Sequence, residues 1–516
     1  MYVDVRGLPL TTRSAGAVDR FNAAVEDLLE FRPGLPDSVR GALGMDSQFV
    51  MANVLFGAML RMGGDDALLP RARKHLASAA AAAEAASPRE QAHVSALRCW
   101  LDGDLHAANR TYEALLADTP QDLLALKFLT YNYFWLGDRT NLRDAPGRVL
   151  QRIDPDLPGY GYWLGMHAFG LEECGEYPLA EKAGRAAVAY HPGDLWAVHA
   201  VAHVFEMQCR IKEGLDWLAG LSPQWGGRNN FVYHLWWHRA LYLFELEQWD
   251  AVLALYDQEI RREKTDFAAD IQNAASLLWR LELRGVQVGE RWQELADVAE
   301  RRLADMAHPF NSVHFTMALL RAGRSPAAQR HLEAVRSHAE AHRPAGPPER
   351  TGRLAAEVGA GVGAARSAAG RRDAVGQAAS RTPTASKDAR PPSADTLAPV
   401  FEDVALPLCE GLAAYDEAVY TRATERLMKG FGKLQSIGAS HAQRDVIVLT
   451  LIQAARDGGY LALARDLLAA RTHAKEGSAD AWHTYARVLE LSRDIEGAAI
   501  AKARGDAIAN RSKGIA

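Results

Sequence analysis

The chain has 516 residues, 48% of them hydrophobic and 24% charged, a composition that provides for a real core. Its net charge of −5 is too mild to point to nucleic acid or acidic lipid as the main partner. Four cysteines, no two at C-x-x-C spacing, exclude a disulfide framework and favour a reducing compartment.

In chain order, the opening MYVDVRGLPLTT has no basic segment followed by an apolar run, so no signal peptide is expected. No stretch reaches about 18 uninterrupted apolar residues, so no membrane span is expected either. A cytoplasmic protein follows, with no membrane and no nucleic acid among its partners. Strand signals are scarce, and apolar residues recur at three- and four-residue spacing. The Ala-rich stretch from Pro70 to Ser87 predicts a helix ending before Pro88. Gly103, Gly137, Gly175, Pro192 and Gly323 punctuate the helical pattern.

Four segments read as helix-turn-helix units: Leu97 to Leu116, Phe169 to Ala189, Val204 to Leu221, and Tyr242 to Ile260. Gly103 and Gly137 are 34 residues apart, and Cys174 and Cys209 are 35 apart, which is the tetratricopeptide period. Cys209 to Glu247 is 38, so the register drifts. The expected fold class is therefore all-α, a tetratricopeptide-like α-solenoid of stacked helix-turn-helix repeats. A helix pair of this kind cannot bury its apolar face alone, and stacking on its neighbours makes a continuous core.

Three regions are expected. Residues 1–342 form the N-terminal and central solenoid. Residues 343–396, rich in Ala, Gly, Pro, Ser and Arg and without an aromatic, read as a disordered linker or insertion. Residues 397–516 form a C-terminal repeat module, with helices expected at Leu406 to Tyr415, Arg422 to Leu434, Asp445 to Arg456 and Leu461 to Arg471.

The densest chemistry lies mid-chain. HAVAHVFEM holds His199, His203 and Glu206. At about 100° per residue, four steps give about 40° and seven give about −20°, so the three share one helix face. HLWWH adds His234 and His238, again four apart. Both pairs precede the turn of their unit, which assigns them to first helices, the concave-facing ones of this architecture. Imidazoles plus a carboxylate suit Zn²⁺, Fe²⁺ or Mn²⁺. The expected metal set is His199, His203, Glu206, His234 and His238, with Glu206 as ligand or general base. It is not the H-E-x-x-H zinc-peptidase motif, because position 200 is Ala. The same pattern also fits packed, hydrogen-bonded core histidines, since Trp196, Phe231, Trp236 and Trp237 make the region aromatic.

Further along, FNSVHF places His314 on a later helix, and REQAHVSA places His93 on an early one. GASHAQRD opens a helix with Ser440, Gln443, Arg444 and Asp445; Ser440 reads as its cap and Arg444 as a candidate anchor for a substrate anion. Neither a phosphate-binding G-x-x-x-x-G-K-[ST] loop nor a G-x-S-x-G elbow is present.

Several of these segments together resemble the tetratricopeptide repeat protein 38 family: REQAHVSAL, DLLALKFLTYNYFWLGD, HAVAHVFEM, YHLWWHRALYLFE, LALYDQEI, HPFNSVHFTMA and GASHAQRD. The resemblance spans nearly the whole chain outside 343–396. It implies an α-solenoid wrapped around a central groove, and a residue pattern of His93, His199, His203, Glu206, His234, His238, His314, Gln443, Arg444 and Asp445. The chain departs from the family at Ser312, where an acidic residue stands, and at His441, where relatives carry Asn. His167 and His191 fall outside the pattern. The resemblance leaves the reaction open.

Three functions are compatible with these residues. The first is a metal-dependent hydrolase or lyase acting on a small polar molecule in the groove. Glu206 and His314 would do the chemistry, and Arg444, Asp445, Gln443, His93 and Trp237 would bind substrate. The second is a non-catalytic scaffold holding a partner peptide or protein. The third is a metal-free His/Trp site for a small ligand.

Overall fold

A computed structural model describes residues 2–341 and 395–512. Among them the only strands are a two-residue antiparallel pair, Tyr2–Val3 with Pro9–Leu10. Everything else regular is helix, stacked in antiparallel pairs, and the fold is an all-α helical-repeat solenoid.

The turn inside each pair sets the repeat. Gly103, Gly137, Gly175, Gly285 and Gly323 all have positive φ, and Cys209 and Glu247 take the same left-handed conformation at the equivalent turns. Left-handed backbone closes a helix C-terminus by supplying its last carbonyls with N–H partners, at a cost for residues other than Gly. Gly137 is further restricted by its neighbour: a Cβ there would stand 1.8 Å from the carbonyl oxygen of Gln435. Pro192 lies in the turn between the helices Tyr177–Tyr190 and Leu195–Met207, at the passage from one repeat to the next. The Ala-rich helix runs Leu69–Ala82 and tightens into a single 3₁₀ turn at Ala83–Ala85. Ser87 then caps the helix Pro88–Leu101 in a reciprocal capping box with Glu90.

First and second helices differ in burial. Leu195–Met207, a first helix, is buried almost throughout, whereas its partner Ile211–Leu221 buries only Ile211, Gly214 and Leu218. A helix apolar all round belongs in an interior, and one with a single apolar stripe belongs on the surface. First helices line the inside, so polar residues placed on them are forced to find partners there.

The repeats turn through a full circle. The loop after Val50–Met62 meets the start of Pro309–Arg321: the carbonyl of Gly64 accepts from Arg302 at 2.9 Å and from Asn311 at 3.1 Å, and Asp66 accepts from the N–H of Met306 at 2.8 Å. The helices Leu406–Asp416, Tyr420–Phe431, His441–Asp457, Leu461–Ala474, Ala479–Leu491 and Ile495–Ser512 continue the pattern. One core cluster runs from Trp237 through Ala339 and on from Leu397 to Ala454. Polar contacts join the same regions, Trp279 donating to Thr450 at 2.9 Å and Arg280 to the carbonyl of Ala442 at 2.7 Å, while Gln435 reaches the earlier turn and donates to the carbonyl of Gly137 at 2.7 Å. Most of the segment expected as a linker, 343–394, lies outside the described residues. Its last residue, Thr396, is packed on the Gly103 turn, donating its N–H to Gly103 and accepting from Leu105.

Among the described residues no helix is long and apolar enough to cross a membrane.

Candidate metal centre

His199 and His203 stand on Leu195–Met207, whose N-terminus is capped by Asp194. His234 and His238 stand on Phe231–Glu245, the next first helix. The two helices are pinned together by Tyr242, whose hydroxyl donates to the carbonyl of Ala202 at 2.6 Å. Aromatic rings wall the space: Phe169 stacks on His199 with centroids 5.3 Å apart, and Trp237 on His234 at 5.2 Å. All four imidazoles are buried, and each brings a ligand atom within 4.8 Å of the other three.

The inner nitrogens are close. Nε2 of His199 lies 2.8 Å from Nε2 of His203 and 3.0 Å from Nε2 of His234. The outer nitrogens of two rings are held from behind. Nδ1 of His234 donates to Asn273 at 2.8 Å, and Nδ1 of His238 donates to Glu206 at 3.2 Å. A neutral imidazole carries one proton, so both rings turn an unprotonated Nε2 toward the centre. His199 can give its proton to only one neighbour. If Nε2–H points at His234, it has no lone pair left for His203; if it does not, two lone pairs face each other at 3.0 Å. Nε2 of His238 and Nδ1 of His199 have no hydrogen-bond partner. Leaving such a buried group unpaired costs about 1–3 kcal/mol. Four inward lone pairs with a shortage of protons are what a cation satisfies.

Electrostatics point the same way. Burial, reinforced by the neighbouring rings, drives His199 and His203 well below the usual histidine range and His234 down to about 3. The imidazoles are thus neutral and ready to ligate. Burial would raise Glu206, but Lys475, 3.2 Å away, and the His238 N–H hold its carboxyl well below the usual range. Glu206, read in the sequence as ligand or base, stands behind His238 and orients it, the place that outer partners of metal-bound histidines occupy.

A second group adjoins the first. Glu172, Glu173 and His441 gather on the Nδ1 side of His203. Nε2 of His441 lies 2.8 Å from Glu172, whose other oxygen is 3.6 Å from Nδ1 of His203. Burial lifts the Glu172 carboxyl to about 7, while Glu172 and Glu173 overcome burial and hold His441 up to about 9.

The remaining sequence-selected residues are engaged elsewhere. His93 is buried against Asp122 at 2.9 Å. His314 donates from Nδ1 to the carbonyl of Phe310 at 2.9 Å. Gln443 forms a capping box with Ser440. Arg444, read as a substrate anchor, spends its guanidinium on the carbonyls of Gly438 and Ala439 and on Glu173. Asp445 pairs with Arg471. Trp237 alone of the proposed substrate set touches the histidines, and its indole N–H donates to Ser276 at 3.2 Å. A cleft of about 580 Å³ opens between Pro88–Leu101 and Leu105–Asp118, lined by Arg89, Arg110 and Asp118 among others, and none of the four imidazoles borders it. Asn273, Glu172, Glu173 and Lys475 were not singled out from the sequence.

No family model matches the chain. Similar solved structures include a human IFIT1 dimer with PPP-AAAA, 11% identical, at a TM-score of 0.40 over 97% of this chain and 96% of that one. Another is a human IFIT1 dimer with m7Gppp-AAAA, 12% identical, at 0.35 over 97% and 91%. A third is yeast Tom70, 10% identical, at 0.22 over 82% and 95%. Likeness this remote says nothing of the site.

Proposed function

We propose that this tetratricopeptide-like scaffold, a candidate relative of the tetratricopeptide repeat protein 38 family, carries an interior metal centre held by His199, His203, His234 and His238. One observation carries the reading: three inward Nε2 atoms lie within 2.8–3.0 Å contacts, beside a fourth from His238, with too few protons to satisfy them. Bonds of about 2.0–2.1 Å to a tetrahedral ion set neighbouring nitrogens about 3.4 Å apart, so binding opens these contacts by about half an ångström. With Glu206 behind His238, the donor set is all nitrogen. That favours Zn²⁺ or the neighbouring Cu²⁺ and Ni²⁺ over Mn²⁺, which prefers oxygen.

Four imidazoles complete a tetrahedral sphere, whereas hydrolytic zinc keeps a position open for water. The centre therefore acts to bind and to rigidify two successive repeats, in preference to the hydrolase or lyase chemistry that the residue types first suggest. A partner peptide or protein would dock on the outer repeats, because the C-terminal helices occupy the inner ends through Lys475–Glu206 and Ser478–Glu245. The test is elemental analysis of full-length protein purified without chelator or metal-affinity tag, beside His199→Ala/His234→Ala. At least one zinc, copper or nickel per chain, absent from the variant, is expected. A wild-type protein that stays metal-free after incubation with zinc overturns the reading.

A further inference from the structure

Resting on that reading, we infer a second divalent-cation site beside the first, formed by Glu172, His441 and the outer nitrogen of His203, so that the centre is dinuclear and His203 is its bridge.

Three ligand atoms on separate elements point into this space. Glu172 comes from the end of Tyr160–Glu173, His203 from Leu195–Met207, and His441 from the first turn of His441–Asp457. Glu172 and His203 are fully buried. Nε2 of His441 pairs with one Glu172 oxygen at 2.8 Å, while the other Glu172 oxygen and Nδ1 of His203 have no hydrogen-bond partner. A buried carboxylate oxygen and a buried ring nitrogen left without a hydrogen bond are costly, and native interiors rarely keep them without a reason.

The spacing is informative. Nδ1 of His203 stands 3.6 Å from Glu172, too far for the hydrogen bond that a purely orienting carboxylate makes. Glu206 makes such a bond to His238 at 3.2 Å. Ligands at about 2.0–2.2 Å around a tetrahedral ion lie about 3.3–3.6 Å apart, which fits the Glu172–His203 gap. The Glu172–His441 contact, at 2.8 Å, has to widen on binding.

Glu173 is occupied differently. It accepts the backbone N–H of His441 at 3.0 Å and faces Arg444, so it fixes the start of that helix and aims His441 at Glu172. One carboxylate and two imidazoles, one partly open to solvent at His441, make a mixed set suited to zinc or copper. With an ion on each nitrogen, His203 is an imidazolate: its remaining proton, and the one between Glu172 and His441, leave to solvent.

The experiment uses full-length protein stripped of metal and titrated separately with Zn²⁺ and Cu²⁺. Bound equivalents are counted by elemental analysis after desalting, and the copper-loaded protein is examined by electron paramagnetic resonance. The variants are Glu172→Gln, which keeps the volume, and His441→Ala; circular dichroism checks that each is folded. We expect two ions per chain in the wild type, with a copper signal quenched by coupling through the bridge. Each variant should keep one ion and show an uncoupled copper signal. One ion in the wild type and one in both variants overturns the second site and leaves the four-imidazole reading standing. No ion in the wild type overturns both. Two ions retained in both variants, or a doubly loaded wild type with two uncoupled signals, place the second ion away from His203 and also overturn the inference.

Discussion

Two groups of buried histidines among the described residues invite comparison, and in only one of them do the rings converge. His308 and His314, at the start of Pro309–Arg321, are as enclosed as His199 and His203. Burial lowers their proton affinity too, taking His314 down to about 4 and His308 well below the usual range. Yet they stand apart in kind. His314 donates into its own helix at Phe310, and His308 stacks flat on Trp135 with centroids 4.2 Å apart. Neither faces another imidazole, and neither has a carboxylate or amide holding it from behind. Burial and neutrality are thus common to both sets. Convergence of inner nitrogens, with outer nitrogens fixed by Asn273 and Glu206, belongs to one.

The comparison can be broken most directly by metal content. His308→Ala and His314→Ala should retain the full metal complement, while His199→Ala/His234→Ala loses it. Equal loss in both sets would make the binding non-specific. Next in size is stabilisation. Zinc at about a thousand times its dissociation constant should raise unfolding free energy by about 4 kcal/mol in the wild type and in His308→Ala. The cluster variant should gain none, as read from denaturant midpoints with and without zinc.

Acid provides the third comparison, this time on the non-converging set. An unfolded histidine titrates near 6.5, and folded His314 near 4. Between these values the unfolded chain holds a proton that the folded chain lacks, so stability falls as pH drops, by about 1.4 kcal/mol per unit and about 3 kcal/mol in total for this residue. His314→Gln should flatten the decline by that slope between pH 6.5 and 4. Parallel urea curves for variant and wild type would show that His314 gains its proton without unfolding.

A smaller effect is expected at the backing residues. Asn273→Ala should weaken zinc binding ten- to a hundredfold by freeing the His234 ring, whereas Ser276→Ala, beneath Trp237, leaves the zinc constant unchanged. The least is expected at His483, which pairs with Asp506 on the surface: His483→Ala should shift the unfolding midpoint by under about 1 kcal/mol and leave metal content intact.

Much of this was legible in the residues. The helix-turn-helix period and the inward row of His199, His203, His234 and His238 follow from spacing alone, because helix geometry turns sequence separation into angle. What spacing could not reveal is which groups lie across the interior. Lys475 meets Glu206 from 269 positions away, and Arg444 meets Glu173 from 271. Those contacts depend on the superhelix coming round, and they change the chemistry assigned to Glu206 and Arg444. Glu172 did leave a signal. It stands three residues before the left-handed turn residue Gly175, as Glu206 stands three before Cys209. Alignment by cysteines, 35 apart, misses this equivalence by one position, whereas alignment by turn geometry recovers it. Asn273 follows His234 by 39 residues on the next first helix, where the drift in repeat length obscures the row.

The Lys475–Glu206 contact has a consequence in time. A ribosome adds roughly 5–20 residues per second, and N-terminal regions fold as they emerge. The imidazoles of Phe231–Glu245 therefore leave the exit tunnel roughly ten to fifty seconds before Lys475 does. Throughout that interval Glu206 lacks its ammonium partner. An ion captured then, on the proposed reading, would meet a cradle without that ammonium, and the arriving C-terminal helices would close over it. On the proposed reading, loading during synthesis and exchange from the mature chain would be different processes, the first fast and the second gated by undocking of the last repeats.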